Sequence, residues 1–172
     1  MTLKLLGSLA LLGLCGGIAL AQHEAHGVSA DLRRADGQVV ARASAVQADG
    51  VVQVRIEAAG LPAGTYGAHV HATGRCEGPD FASAGAHWNP MGRHHGSENP
   101  QGPHMGDLPN LVVGADGHGS VSFEIPHAAL HGGEHAMLDD DGAAVVVHAA
   151  PDDYRTDPSG NSGARIACGV LR

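Results

Sequence analysis

Histidines are the side chains of this sequence best suited to chemistry, and their spacing is that of metal ligands. The chain contains 13 of them. In the segment His69-Val70-His71, strand geometry would put both imidazoles on one face, about 7 Å apart, where they could converge on one metal. A solvated pair on a strand would give the same pattern, so this motif alone is weak.

Further candidate ligands follow along the chain: His87, His95, His104, Asp107 and His148. Imidazole binds zinc and copper alike, and a carboxylate can complete a tetrahedral zinc site. Six histidines and one aspartate exceed the four ligands that zinc takes. Two metals that share one histidine would use the set economically. Of the adjacent pair His94 and His95, the eight-residue spacing from His87 favours His95.

Short alternating runs, rather than helical periods, make up the elements that must position these residues. In the runs Val52–Glu57 and Val121–Ile125, apolar and polar residues alternate as in a half-buried strand. Further strands are predicted over Val28–Arg33, Val39–Ala45, Ala68–Ala72, Ala144–His148 and Ala164–Leu171. Asp-Gly pairs at positions 36–37, 49–50, 116–117 and 141–142 predict the turns. This pattern indicates an all-β antiparallel sandwich or barrel.

Two long stretches rich in Gly and Pro separate the predicted strands, roughly at residues 73–109 and 149–163. Structureless loops of this length in a compact domain are usually functional or disordered. Most of the candidate ligands lie in them, so we expect two functional loops.

The N-terminus is typical of a secretory signal. Lys4 precedes an apolar run, Leu5–Leu20, and small residues at 19 and 21 predict cleavage before Gln22. The run is short for a membrane span, which needs about 20 residues. Cys15 raises the alternative of a lipid anchor, but Leu14 is bulky for the position before it. We therefore expect a signal peptide over residues 1–21, an exported protein in the periplasm or outside the cell, and no membrane span after cleavage.

The remaining chain has the length of one domain with a sizeable core. Its net charge is negative (−8 for the whole sequence, with Lys4 the one lysine), which argues against a nucleic-acid partner or a basic membrane-binding segment. Cys76 and Cys168 favour one disulfide in an oxidising compartment, with two free buried thiols as the alternative. We expect residues 22–27 to be a polar, mobile lead-in; His23 and His26 there could bind stray metal, but a flexible tail is the favoured interpretation.

Six blocks of sequence, in order, resemble the copper/zinc superoxide dismutases, and most closely their exported bacterial branch. The blocks are Gly67–His71, Cys76–Phe81, Ser83–Pro90, His104–Leu108, Val146–His148 and Gly160–Val170. The resemblance implies an eight-stranded antiparallel Greek-key β-barrel with two long functional loops. It assigns residues 22–37 to the lead-in and the start of the barrel, and residues 38–172 to the dismutase domain.

The resemblance also implies one copper and one zinc ion per chain. Copper would be bound by His69, His71, His87 and His148, and zinc by His87, His95, His104 and Asp107. Asp152 would link a copper histidine, His69, to a zinc histidine, His95, although its neighbour Asp153 competes for that role.

The implied activity is disproportionation of superoxide to O₂ and H₂O₂ by one-electron cycling of copper, as antioxidant defence outside the cytoplasm. His87 would deliver a proton to the peroxide. Arg165, three residues before Cys168, would focus positive potential on the substrate, or else pair structurally with a loop carboxylate. Family members often carry lysines in the loop before this arginine, whereas this chain has only Arg155 there, against three aspartates.

Two other functions fit parts of the pattern. A module that stores copper or zinc without turnover would need the ligands alone, and an enzyme using copper alone would leave His95, His104 and Asp107 without a purpose. The sequence does not fix the oligomeric state, although a homodimer is compatible with it. The histidines at 118, 127, 131 and 135 are expected on solvated loops.

Overall fold

The structure, a computed structural model, describes residues 26–172. It contains nine strands and one turn of 3-10 helix, Ala82–Ala84. The strands are β1 His26–Arg33, β2 Val39–Ala48, β3 Val51–Ala59, β4 Gly64–Tyr66, β5 Ala68–His71, β6 Leu111–Val113, β7 His118–Pro126, β8 Ala143–His148 and β9 Arg165–Leu171. Across this part of the chain, no helix has the length and apolarity that a membrane span requires. The predicted signal peptide, Cys15 and His23 lie outside the described residues.

All the strands belong to one antiparallel sheet, in the order β4-β6-β7-β3-β2-β1-β9-β8-β5. Its two outermost strands, β4 and β5, are consecutive in the chain and are separated by Gly67 alone. One stretch of chain therefore pairs with β6 at its start and with β8 at its end, which nearly closes the sheet into a barrel. The predicted all-β barrel is confirmed. The nine strands exceed the expected eight because that stretch is broken at Gly67.

The strands form where the sequence alternates. Along β3, Val52, Val54 and Ile56 are buried, whereas Gln53 and Arg55 between them are exposed. Burying one face of the strand contributes roughly 1.5–3 kcal/mol for each large aliphatic side chain. The β2–β3 hairpin turns at Asp49 and Gly50, where φ is 51° and 79°. Positive φ at both central positions is what a two-residue hairpin turn requires, and it explains the predicted Asp-Gly turn.

Strand β1 begins two residues before the predicted start, because His26 and Gly27 already pair with Gln47 and Val46 of β2. Part of the expected lead-in is therefore sheet. Strands β4 and β6, three residues each, were not predicted from the sequence, since so short a segment carries no readable period.

The two long connections run from β5 to β6, residues 72–110, and from β8 to β9, residues 149–164. They match the two predicted loops. Trp88, Met105 and Leu108 of the first connection are buried in the barrel core, so this loop is fixed by packing and not left free in solvent. Phe81 and Ala84 pack with Cys168 in a second apolar cluster.

Candidate metal centre

The β5 strand carries two buried histidines on one face. His69 and His71 are both fully buried, and Val70 between them points into the barrel core. Strand β8 lies beside β5 in antiparallel register and ends at His148, which is also buried. Two adjacent strands thus bring three imidazoles together, with ring centroids 4.8–6.4 Å apart.

Backbone hydrogen bonds of Val70 fasten the first loop against this strand. Its N–H donates to the carbonyl of Gly106 at 2.8 Å, and its carbonyl accepts from the N–H of Trp88 at 2.8 Å. A Cβ on Gly106 would collide with the Val70 carbonyl, so glycine is required for this approach. As a result His87 lies beside the β5 strand, and Asp107 lies opposite His69.

His87 faces two groups of ligands at once. Its ring stacks on that of His69, with centroids 3.9 Å apart, and meets His71 edge-on at 4.9 Å. Its Nδ1 points the other way, 2.9 Å from Asp107 Oδ1 and 3.4 Å from His104 Nδ1. Nδ1 therefore faces Asp107 and His104, which leaves Nε2 for the side of His69 and His71.

The first group contains His69, His71, His87 and His148, whose nearest ligand atoms all lie within 4.8 Å of one another. His71 Nδ1 donates to the carbonyl of Gly85 at 2.9 Å, and His148 Nδ1 donates to that of Gly163 at 3.1 Å. Because a carbonyl only accepts, these contacts put the proton on Nδ1 and leave the Nε2 lone pair free.

The second group surrounds the carboxylate of Asp107. Its Oδ1 lies 2.9 Å from His87 Nδ1, 3.0 Å from His95 Nδ1 and 3.2 Å from His104 Nδ1. Ligands of a tetrahedral zinc ion, at about 2.0–2.1 Å from the metal, are about 3.3 Å apart, so these spacings suit zinc. The other oxygen of Asp107 accepts hydrogen bonds from the backbone of Gly96 and His104 at 2.9 and 3.0 Å.

Asp152 joins the two groups from behind. Its carboxylate, fully buried, accepts a hydrogen bond from His69 Nε2 at 2.7 Å and another from His95 Nε2 at 3.0 Å. Both rings must therefore carry the proton on Nε2 and direct the Nδ1 lone pair forward. A Cβ on Gly160 would collide with Asp152 and come within 2.6 Å of His95 Nε2, so the loop can close over this pair only with glycine there.

The unpartnered nitrogens supply the test of whether metals fit. Among the described residues, four buried ring nitrogens make no hydrogen bond of good geometry: His69 Nδ1, His71 Nε2, His95 Nδ1 (which lies 3.0 Å from Asp107 Oδ1) and His148 Nε2. In each of these four rings the other nitrogen carries the proton and donates it to a carbonyl or to Asp152, so the unpartnered nitrogen has a free lone pair. Buried polar atoms are normally satisfied, so four convergent exceptions indicate places for cations, and the residues fit copper and zinc.

Three histidines of the first group have lowered pKa values. Burial, followed by the charge of His87, lowers the pKa of His71 to about 2, and burial, followed by the charge of His69, lowers that of His148 to about 3. Burial also lowers the pKa of His87 to about 4, against the opposing hydrogen bond to Asp107. These rings are neutral at physiological pH, as metal ligands must be.

His95 behaves in the opposite way. Burial alone would lower its pKa, but the close contacts with the carboxylates of Asp107 and Asp152 and their negative charges raise the pKa to about 9. Burial would raise the pKa of Asp107, yet its contacts with His104, His87 and His95 bring that pKa well below its usual range. The carboxylates thus favour a positive charge at this position, which a zinc ion would supply in place of the proton.

An open cavity of about 760 Å³ leads to the first group and is lined by His71, His87 and His148. Arg165, half-buried, lines the same cavity and donates to the carbonyls of Phe81 and Gly85, each at 2.7 Å. No carboxylate of the described residues lies within 4.0 Å of its guanidinium, which contradicts the alternative of a structural ion pair.

The predicted disulfide is confirmed, since Cys76 and Cys168 are joined with their Cα atoms 5.6 Å apart. It ties the start of the first loop to strand β9, three residues beyond Arg165. The loop residues whose carbonyls hold Arg165 lie between Cys76 and His87, so the disulfide and the guanidinium fasten the same segment.

The remaining histidines whose side chains the structure describes stay outside both groups. His94 is exposed while His95 is fully buried, and Asp153 is exposed while Asp152 is buried. The other histidines at 118, 127 and 131 are exposed and the one at 135 is half-buried.

Two charged residues that line the cavity were not predicted from the sequence. Arg93 and Asp157 line the cavity beside Arg165. Arg93 could have been noticed as a cation placed between two candidate ligands, but the sequence carries no comparable signal for Asp157.

Comparisons with known proteins agree with this geometry. The family model described as copper/zinc superoxide dismutase matches residues 35–171. Superoxide dismutase [Cu-Zn] 2 of Aquifex aeolicus is 41% identical over 145 residues, 83% of this chain and 85% of its own length. Superoxide dismutase [Cu-Zn] of Caulobacter vibrioides is 41% identical over 147 residues, 84% of each chain.

Solved structures agree as well. The crystal structure of a superoxide dismutase-like protein from Bacillus subtilis superimposes with a TM-score of 0.78 at 43% identity, covering 84% of this chain and 97% of that one. A match of the family model to most of the sequence, together with relatives above 40% identity, places the chain by descent: it belongs to the copper/zinc superoxide dismutase family.

Proposed function

We infer that this protein is a superoxide dismutase, which converts two superoxide anions and two protons to O₂ and H₂O₂. The observation that carries the inference is the position of His87, whose ring takes part in both ligand groups. A storage module would need neither a shared ring nor an open cavity with an arginine beside the ligands.

We propose the following ligands. Copper is held by His69 Nδ1, His71 Nε2, His148 Nε2 and His87, and zinc by Asp107 and the Nδ1 atoms of His87, His95 and His104. The unpartnered nitrogens and the spacings around Asp107 support this division. Asp152 is the residue that orients His69 and His95, a role for which burial favours it over Asp153.

Bound copper would supply the one-electron couple, whereas zinc, with a filled d shell, has none. The chain supplies the proton and the position of the substrate. His87 Nε2, when free, can hold a proton at the cavity wall and donate it to peroxide. Arg165 is fixed by two carbonyls and directs its positive charge into the cavity, where the superoxide anion must enter.

Arg93 is a second source of positive potential at this cavity. It is exposed, donates to the carbonyl of Gly102 at 3.2 Å, and has no carboxylate within 4.0 Å in the described part of the chain. Arg155, in contrast, pairs with Glu98. The loop before Arg165 has no lysines. We therefore propose that the positive charge of Arg93 attracts the superoxide anion towards the cavity.

Metal content and turnover of the same preparation test this function. The chain reconstituted with both metals is expected to bind one copper and one zinc and to consume superoxide, with H₂O₂ produced at half the rate of superoxide loss. Both metals bound in full without turnover would refute the enzyme in favour of a binding module.

His95 and its exposed neighbour His94 form a matched pair for testing the ligands. His95→Ala should abolish stoichiometric zinc binding while keeping the disulfide, because it removes a ligand at the zinc position. His94→Ala should bind zinc as the parent chain does. Equal zinc binding by the two variants would contradict the proposed set.

We also propose that the protein is exported to the periplasm or beyond the cell and functions there without a nucleic-acid partner. The disulfide and the negative net charge support this proposal. A homodimer is compatible with the sequence, which does not fix the oligomeric state. Fractionation of cells that produce the full chain, with the size of the exported product measured by light scattering, tests both statements; product retained in the cytoplasm would refute export.

A further inference from the structure

Asp157 makes two contacts that the ligand assignment does not use. It lies in the connection between β8 and β9, five residues after Asp152. Its Oδ1 accepts a hydrogen bond from the backbone N–H of His95 at 2.5 Å. The same oxygen is 3.9 Å from Nε2 of His104, beyond hydrogen-bond range but close enough for attraction between charges.

We propose that Asp157 is a positioning residue of the zinc site, holding the main chain of His95 in the place where its ring meets the metal. The inference rests on the proposed role of His95 as a zinc ligand. Asp152 fixes the ring of His95 at Nε2 and Asp157 fixes its peptide group, so two carboxylates of one connection hold a single residue of the other connection at both ends.

The backbone around His95 depends on such contacts because it belongs to no strand. The N–H of His94 donates to the carbonyl of Gln101, and the N–H of Gly96 donates to Asp107. His95 is fully buried, and its N–H donates to Asp157. Removal of this acceptor would leave a buried donor unpaired, and such donors are rare in native proteins.

Among the described residues, the Asp157 side chain makes no hydrogen bond within its own connection, in contrast to Asp153. Asp153 accepts hydrogen bonds from the backbone of Arg155 and Thr156 and from the side chains of Thr156 and Asn161. All of these lie within the connection. The hydrogen bond of Asp157, in contrast, crosses 62 residues of sequence to the other connection.

The charge of Asp157 acts in the same direction as its hydrogen bond. A histidine bound to zinc carries part of the positive charge of the metal on its far nitrogen, and in His104 that nitrogen is the one near Asp157. Although 44% of the Asp157 side chain is exposed, which weakens this attraction through solvent screening, the hydrogen bond itself is at the buried end.

The rate of zinc release from the copper- and zinc-loaded protein tests the proposal. Zinc captured by an excess of a chromophoric chelator is followed by absorbance, with copper and the disulfide measured on the same sample. Asp157→Ala is expected to accelerate release by about 10- to 100-fold, as for other partners behind a metal ligand. Asp157→Asn keeps an oxygen acceptor for the His95 N–H and should restore most of the parent rate.

Asp153→Ala is the matched control, since it removes a carboxylate from the same connection without removing a contact to a proposed ligand. It should change the release rate by less than about threefold, a small fraction of the change expected for a ligand partner. Release as fast in Asp153→Ala as in Asp157→Ala would overturn the proposal, because order of the loop would then explain both. Equal rates for Asp157→Ala and Asp157→Asn would also overturn it.

His95→Ala separates this inference from the function on which it rests. If that variant keeps its zinc, the assignment of His95 as a ligand fails. If it loses zinc while Asp157→Ala releases the metal at the parent rate, only the role of Asp157 fails. Should Asp157→Ala not fold, the release rate of Asp157→Asn against Asp157→Ser still decides, with Asn slower than Ser as the expected order.

Discussion

Replacement of Asp152 by asparagine should weaken the binding of both metals. His69 and His95 both donate Nε2–H to this carboxylate, at 2.7 and 3.0 Å, so both need an acceptor. Asparagine has one acceptor oxygen, and its amide nitrogen can only donate. One imidazole N–H would therefore face another donor in a fully buried position.

The size of the effect follows from this loss. An unpaired buried donor costs about 1–3 kcal/mol. Loss of an orienting partner behind a ligand typically lowers metal affinity 10- to 100-fold, about 1.4–2.8 kcal/mol, which agrees. Because both oxygens of Asp152 are engaged, we expect the zinc and the copper dissociation constants to rise within this range, with no change in the barrel.

Competitive chelator titration of each metal at neutral pH measures the two dissociation constants. Asp153→Asn is the matched control, an exposed carboxylate next in sequence, and should leave both constants within about twofold of the parent values. If both dissociation constants of Asp152→Asn also stayed within twofold of the parent values, the Asp152 carboxylate would not orient the ring of His69 or of His95. The reasoning would then be refuted.

Three further outcomes are expected. Arg165→Ala should lower kcat/KM by roughly 10-fold or more with both metals retained, and unchanged turnover at low ionic strength would contradict its role. Arg93→Gln should lower kcat/KM by about two- to fivefold at low salt, a difference that high salt should abolish; a loss insensitive to salt would count against guidance. The metal-free protein should lose stability to urea as the pH falls from 6.5 towards 4, by at most about 1.4 kcal/mol per pH unit for each of His71, His87 and His148. The unfolded chain binds protons there with a pKa near 6.5, whereas the folded chain has pKa values of about 2, 4 and 3; equal stability at pH 7 and pH 5 would refute this.

The strands that carry the proposed ligands could be predicted because their sequence periods are local. The alternation in β3 and the His-x-His pair of β5 depend on residues two apart, and the Asp49-Gly50 turn on two neighbours. Such signals need no knowledge of distant partners. The short strands β4 and β6 were missed for the converse reason, since tertiary pairing alone makes three extended residues a strand.

Knowledge of the family pattern was needed to divide the ligands between two metals. The spacing from His87 singled out His95 over His94, but only the fold shows which ring nitrogen faces which neighbour. Asp157 could not be predicted at all, because its partner is a backbone N–H, and every residue except proline offers one.

The carbonyl of Gly85 receives two hydrogen bonds, one from Nδ1 of His71 and one from the guanidinium of Arg165. A single main-chain oxygen thereby fixes the distance between the guanidinium of Arg165, proposed to attract the anion, and the ring of His71, a proposed copper ligand. Because the acceptor is a main-chain carbonyl, substitution of nearby side chains does not remove it. Substitutions at the rim of the cavity could therefore change the rate at which the anion binds. The distance between Arg165 and His71 would change only with a new main-chain conformation at Gly85.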